Sequence, residues 1–292
     1  MAPAVVVSEC EPRSVRALIE AASTRLVGEE ARSEAEILLA HVLARPRGWL
    51  FAWPEHEPTA DQRAAYVQLI DARWRGEPIA YLTGRRGFWT LELDVTPAVL
   101  IPRPETELLV ELALARLPLD REVRVADLGT GSGAIALALA SERPQARVLA
   151  TDASEAALEV ARGNARRLDL RNVEFAQGDW CVALGGAMFD LIASNPPYIV
   201  SGDPHLAQGD LRFEPPDALA SGRDGLDAIR TIIAQAPTHL RAGGWVLLEH
   251  GYDQAAAVRN LFAGCGFESI DSARDAAGHE RVSFGRHPPA KV

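Results

Sequence analysis

Cysteine is scarce. The 292 residues hold three, Cys10, Cys181 and Cys265, and no two of them stand at a metal-ligand spacing. An odd count without paired spacing excludes a disulfide scaffold and a cysteine metal site, and points to reduced thiols. Positive charge is also short, with 30 Lys and Arg against 40 Asp and Glu for a net charge of −10. Sequence-independent phosphate binding needs clustered Lys and Arg, so direct nucleic-acid binding is not expected. No apolar run reaches membrane-spanning length. Glu9, Glu11 and Arg13 interrupt the N-terminal stretch too early for a signal peptide. Internal repeats and low-complexity segments are absent. These absences lead us to expect a cytoplasmic protein with no bound metal and no membrane partner. The length suits one large domain or two smaller ones.

What is present begins with helices. Met1 to Glu11 reads as a loose tail. Arg13 to Val27 places Val15, Leu18, Ile19, Ala22 and Leu26 on one face at helical spacing, and Ala31 to Ala44 repeats the pattern. Thr59 with Gln62 forms the signature of a capping box. It opens a third helix to Arg75, with Tyr66, Leu69, Ile70 and Trp74 expected to face inward. Residues 1–84 therefore read as a small helical domain. The period then changes. Phe88, Trp89, Leu91, Leu93 and Val95 suggest a β-hairpin over residues 85–103. In Ile101-Pro102-Arg103-Pro104-Glu105-Thr106-Glu107, Pro104 suits the first turn of a helix, and the two acids favour its positive end.

From Val123 strands and helices alternate. Strands are expected at Val123 to Leu128, Arg147 to Thr151, Val173 to Ala176, Met188 to Ser194 and Trp245 to Glu249. Helices are expected at Ser132 to Ala140, Glu155 to Leu168, Leu226 to Leu240 and Gln254 to Ala263. Alternation of this kind predicts a doubly wound, Rossmann-like α/β sheet over residues 104–287. The final strands, Phe267 to Asp271 and Arg281 to Phe284, have no helix between them and should form an antiparallel pair at one edge.

Two stretches carry chemistry. Asp127-Leu128-Gly129-Thr130-Gly131-Ser132-Gly133 ends the first strand of the sheet and starts a helix. Glycines let the backbone turn tightly against a ligand, although dinucleotide enzymes use a related turn. Asp152 ends the second strand, where an acid can bind ribose hydroxyls. Asp179 and Trp180 follow the third, suited to an adenine amino group and to the ring. Each has a plainer structural role: a cap for Asp152, a turn for Asp179, a core residue for Trp180.

The second stretch is Asn195-Pro196-Pro197-Tyr198, at the end of the fourth strand. Adjacent prolines cannot extend a helix, so Asn195 sits on a rigid corner. An amide NH2 is a poor nucleophile because its lone pair is delocalised. The Asn195 side-chain oxygen and the Pro196 carbonyl are both acceptors. Aimed at one NH2, they take both hydrogens and favour a pyramidal nitrogen. Tyr198 would lie against the flat face and support growing positive charge. The bland alternative is a turn, since Asn-Pro marks turns.

With these residues assembled, the C-terminal two-thirds resembles a class I S-adenosylmethionine-dependent methyltransferase. Ile101 to Glu107, Asp127 to Gly133, Asn195 to Tyr198, and Phe213-Glu214-Pro215 through Asp224-Gly225-Leu226 together resemble the PrmC (HemK) family, the peptide chain release factor glutamine N5-methyltransferases. The helical N-terminal domain and the hairpin fit that family too. The resemblance implies methyl transfer from S-adenosylmethionine, with S-adenosylhomocysteine as product. The acceptor it implies is the glutamine amide in the Gly-Gly-Gln motif of class I bacterial release factors. It implies Asn195, Pro196 and Tyr198 as catalytic residues. Pro197, Arg103, Glu105 and Thr106 would complete the substrate pocket. Gly129, Thr130, Gly131, Ser132, Gly133, Asp152, Asp179, Trp180 and Asn195 would hold the cofactor. The helical domain is expected to recognise the substrate, and the chain to act as a monomer. Two departures stand out: Ser221-Gly222 where relatives often show two glycines, and His250 after Glu249 where an apolar residue is expected. Rival readings are an adenine-N6 DNA methyltransferase, which needs the same amine geometry on a flipped base, and a cofactor-binding regulator without catalysis.

Overall fold

The computed structural model describes residues 12–289. Cys10 and the expected loose tail from Met1 to Glu11 lie outside the described residues. The chain divides into two compact units, up to Thr83 and from Gly84 onward.

The first unit is helical. Ser14 caps α1 (Val15–Arg25) by accepting from Ala17 N, and the helix buries Val15, Leu18, Ile19 and Ala22. These pack with Leu38 and Leu39 of α2 (Ala31–Leu43). A short α3 (Arg47–Ala52) follows Pro46. The capping box of Thr59 and Gln62 opens α4 (Ala60–Trp74), and α5 (Ile79–Thr83) ends the unit. Tyr66 is buried and donates to the Ala35 carbonyl at 3.1 Å. Trp74, expected inward, is instead 61% exposed. The last turn of α4 meets the charged end of α1. There Arg25 pairs with Asp71 and lies over the Trp74 ring, 5.8 Å from its centroid.

The second unit opens with the hairpin β1 (Arg85–Phe88) and β2 (Leu91–Asp94), paired antiparallel. Its buried residues Phe88 and Leu93 join the core of the sheet. A 3₁₀ turn (Pro104–Thr106) leads into α6 (Glu107–Leu114). Next come β3 (Arg124–Leu128), α7 (Ala134–Glu142), β4 (Arg147–Asp152), α8 (Glu155–Arg167), β5 (Val173–Gln177) and β6 (Phe189–Ser194). They are followed by α9 (Asp227–Gln235), β7 (Leu240–Glu249), α10 (Ala255–Gly264), β8 (Glu268–Arg274) and β9 (Glu280–Arg286). The sheet order is β5-β4-β3-β6-β7-β9-β8. β3 to β7 are parallel; β9 runs antiparallel to β7, and β8 antiparallel to β9. The seven strands thus make the expected doubly wound sheet with an antiparallel edge.

One helix is shorter than its apolar pattern suggests. Leu226 to Leu240 was expected to be continuous, yet α9 stops at Gln235 and a 3₁₀ turn (Ala236–His239) follows. Pro237 has no N–H to donate and its ring clashes with the preceding turn. Leu240 then enters β7 well before Trp245.

Two apolar clusters pack on opposite faces of the sheet. Leu109, Leu137 and Leu139 lie in one cluster; Ile229, Ile232 and Phe262 lie in the other. Near-continuous apolar strands follow from burial on both faces. Cys181 is buried in the second cluster, and burial pushes its thiol up to about 12. Cys265 is exposed.

Candidate active site

The strand order turns back between β3 and β6. Open α/β sheets bind ligands in the crevice at such a point, beyond the carboxyl ends of the strands. Here the glycine loop after β3 and the Asn-Pro-Pro-Tyr corner after β6 share one cavity of ≈ 390 Å³. Its lining includes Gly129, Thr130, Gly131, Ser132, Asp152, Trp180, Asn195 and Pro197, with Arg103 and Thr106 from the preceding segment. The volume suits a small organic ligand.

The loop is held from below. Gly129, Gly131 and Gly133 have φ of +70°, +55° and +88°, conformations that favour glycine. Asp127 accepts at Oδ2 from the Thr130 hydroxyl at 2.6 Å and from Ala136 N at 3.1 Å, while Oδ1 has no hydrogen-bond partner among the described residues. Burial pushes its carboxyl up to about 7, against those two hydrogen bonds. Asp152 accepts from Gly131 N and from Ser154 N, both at 2.9 Å. It therefore braces the loop and caps α8's approach while still facing the cavity; each carboxylate oxygen keeps spare acceptor capacity. Trp180 has φ of +43°, a strained conformation for a bulky residue. Its ring stands over the loop, 3.4 Å from where a Cβ on Gly129 would sit. Asp179 is exposed and is not part of the cavity lining.

On the other wall, Asn195 donates from Nδ2 to the Thr106 hydroxyl at 3.1 Å. That leaves its oxygen as an acceptor. Tyr198 donates to Glu249 Oε1 at 3.2 Å, and its carbonyl accepts from Gln254 Nε2 at 2.9 Å. Burial raises the Tyr198 phenol above its ordinary value, and the Glu249 charge adds to the rise. Pro196 is buried. Arg103 pairs with Glu214, whose other oxygen accepts from Ile101 N at 3.0 Å. Thr106 is buried, whereas Glu105 is exposed and lines a separate cleft with Trp89 and Glu107.

Comparison with known proteins decides the family. Residues 17–84 match the PrmC N-terminal domain, and residues 105–209 match the methyltransferase small domain. The release factor glutamine methyltransferase of Xylella fastidiosa (strain Temecula1) is 56% identical over 272 residues, covering 93% of this chain and 98% of that protein. The chain belongs to the release factor glutamine methyltransferase family. The Escherichia coli K12 member is 49% identical over 270 residues, covering 92% of this chain and 97% of that one. Among solved structures, the catalytic domain of hMettl16 in complex with MAT2A 3′UTR hairpin 6 aligns with a TM-score of 0.56. It is 14% identical and covers 80% of this chain and 84% of its own, a likeness of fold alone.

The roles of three residues of this methyltransferase site escape sequence reasoning. Glu214, in the segment between β6 and α9, ties that segment to Ile101 and Arg103. Asn164 of α8 is fully buried and bonds both Asp94 N at 2.7 Å and the Ser132 carbonyl at 2.9 Å, joining the hairpin to the glycine loop. Glu249 closes β7 under Tyr198. The signal that singled out Asp127 and Asp152, an acid closing an apolar strand, is present in Val246-Leu247-Leu248-Glu249 as well. The two departures noted above have local explanations. Ser221 is buried and its hydroxyl accepts from Ala228 N at 2.9 Å in the first turn of α9. His250 is buried with both ring nitrogens bonded, to the Gly251 carbonyl at 2.8 Å and the Ser283 hydroxyl at 2.7 Å. Burial lowers its pKa and favours the neutral ring, which suits an interior position.

Proposed function

We propose that Asn195 Oδ1 and the Pro196 carbonyl take the two hydrogens of a glutamine side-chain amide, with Tyr198 packed against its flat face. The chain is an S-adenosylmethionine-dependent protein-(glutamine-N5) methyltransferase. Its acceptor is the glutamine of the Gly-Gly-Gln motif in bacterial peptide chain release factors. S-adenosylmethionine, when bound, would supply an activated methyl on a sulfonium centre and leave as S-adenosylhomocysteine, while the methylated amide nitrogen gives up one of its two hydrogens as a proton. The protein's part is then orientation and exposure of the amide lone pair. The observation that carries the assignment is the hydrogen bond from Asn195 Nδ2 to Thr106, which commits the nitrogen and leaves the oxygen for substrate.

The residues fit the cofactor. The Trp180 ring over Gly129 offers a stacking face for a purine, Asp152 offers acceptors for a ribose diol, and the glycine loop leaves room around Gly131, where a Cβ would meet nothing within 4 Å. Asp152→Ala is expected to weaken cofactor binding by about 1–3 kcal/mol, the order for a charged hydrogen bond. Calorimetry checks this; unchanged affinity would leave Asp152 with its backbone contacts alone.

An amide pocket cannot tell one glutamine from another, so selectivity needs contacts elsewhere. We assign these to the helical unit. It exposes Phe51 at 62%, Trp53 at 59% and Trp74 at 61%, and aromatic residues are enriched where partners dock. A partner in translation termination places the enzyme in the cytoplasm.

The test is transfer of a radiolabelled methyl group to whole release factor, to a short Gly-Gly-Gln peptide and to adenine-containing DNA. Label is expected on the whole factor, less efficiently on the peptide, and not on DNA. Label on DNA in preference to release factor would favour the adenine-N6 alternative.

A further inference from the structure

Glu249 follows Leu248, whose strand partner Ser194 is followed by Asn195. It is 1% exposed. A buried acid is costly unless it is partnered, and this one is partnered sparsely. Tyr198 donates to Oε1, and Oε2 has no closed hydrogen bond among the described residues. The Thr106 hydroxyl opposes the rise of the Glu249 carboxyl, although no hydrogen bond between the two closes. The oxygen of that same hydroxyl accepts from Asn195 at 3.1 Å.

We propose that Glu249 is a positioning residue: as a carboxylate it draws the Thr106 and Tyr198 hydroxyls toward itself as hydrogen-bond donors, and so turns the Asn195 amide with its nitrogen toward Thr106 and its oxygen toward the substrate. This rests on the assignment of Asn195 Oδ1 as acceptor of the substrate hydrogens. The two ends of a side-chain amide have nearly the same shape, so packing alone does not choose between them. The hydroxyl does choose. A Thr106 that donates to Asn195 would bind its oxygen and present NH2 to the substrate NH2, donor against donor. A Thr106 that donates to Glu249 has only lone pairs left for Asn195. An ionised carboxylate accepts and never donates, so it sets that polarity; a protonated one does not.

The ionisation falls near working pH. Burial pushes the Glu249 carboxyl up to about 7. Thr106 of the 3₁₀ turn, Tyr198 of the corner and Arg281 of β9 oppose the rise, and Glu105 adds to it. Arg103 acts on the Tyr198 phenol in turn. The competent form is the ionised one, so turnover falls as pH drops through the Glu249 pKa. The reacting amide and sulfonium do not titrate there. Asp127 is also raised to about 7, but it lies under the glycine loop and bonds no residue of the amide corner; saturating cofactor removes its effect on cofactor binding, and Glu249→Gln separates the two groups.

The experiment measures kcat on whole release factor at saturating cofactor, with the full-length protein, across neutral pH. The wild-type rate is expected to fall toward tenfold per pH unit below about 7, as for a single essential base. Glu249→Gln is expected to lower kcat about tenfold or more, within the range for misplaced reacting groups, with a flat pH profile and an unchanged KM for cofactor. Thr106→Val should show a similar loss, and the double variant no further loss, because residues acting through one relay are not additive. A wild-type profile retained in Glu249→Gln overturns the proposal, as do losses that multiply in the double variant. If Glu249→Gln does not fold, the wild-type profile decides, and a flat one overturns it. Failure of the underlying assignment is separable: it appears as full activity in Asn195→Ala.

Discussion

Replacing Asn195 with alanine lowers turnover by roughly 10²-fold or more, the scale for losing one preorganised hydrogen-bond group in an active site. Cofactor affinity stays within a few-fold. The reason is a division of labour across the cavity. The glycine loop is braced by Asp127, Asp152 and Asn164, none of which touches Asn195 through a hydrogen bond. Removing the amide leaves that wall intact and strips one of two acceptors from the other wall. Single-turnover methyl transfer measures the chemistry, and calorimetry measures the cofactor. Transfer at the wild-type rate would remove Asn195 from the chemistry.

Gly225→Ala is expected to damage the same step from outside the pocket. Gly225 has φ of +76°, and a Cβ there would lie 2.6 Å from Gln254 Nε2 and closer still to the Tyr198 carbonyl oxygen. Those two atoms are themselves hydrogen-bonded at 2.9 Å. The added carbon must push them apart, and the backbone behind Tyr198 moves with its carbonyl. Overpacking costs roughly 1–3 kcal/mol, and the left-handed backbone adds about 1–2 kcal/mol for a residue with a Cβ. A displacement of about 1 Å at reacting groups can cost 10²-fold in rate. The variant should therefore show a lower denaturation midpoint and a kcat reduced by about 10²-fold, with cofactor binding preserved. Wild-type kcat in a folded Gly225→Ala protein would mean that the corner is not sensitive to its support.

The sheet was legible in the sequence for a physical reason. Strands buried on both faces read as apolar runs, and the acids, glycines and prolines at their ends mark where the chain leaves the core. The cavity between Gly129 and Asn195 follows from those punctuation marks once the order of strands is known. Misreadings arose where local pattern and tertiary context conflict. Apolar periodicity ran through Pro237, while the backbone cannot. Arg241, Gly243 and Gly244 resemble a loop, yet they lie in β7. Trp74 continues the buried stripe of α4, but its neighbour in space is Arg25. α3 and α5 are too short to show a period. Glu214 and Glu249 stand in the sequence motifs without a role, because their partners are remote along the chain; the acid that closes β7 carries the same mark as Asp127 and Asp152, but not the identity of what it will meet.

That remoteness has a kinetic consequence. The hydrogen bond from Asn195 to Thr106 spans 89 residues, that from Ile101 to Glu214 spans 113, and that from Tyr198 to Glu249 spans 51. Contacts so distant in sequence close late, because loop-closure entropy opposes them until the intervening elements have docked. Much of the glycine loop's bracing, by contrast, is local: Asp127 accepts from Thr130 and Ala136, and Asp152 from Gly131. A chain emerging during synthesis can thus build its cofactor cradle while the amide corner is still open. A nascent chain that stops short of Glu249 holds Asn195 and Tyr198 without the acid that Tyr198 donates to, so the amide corner is completed only as β7 emerges.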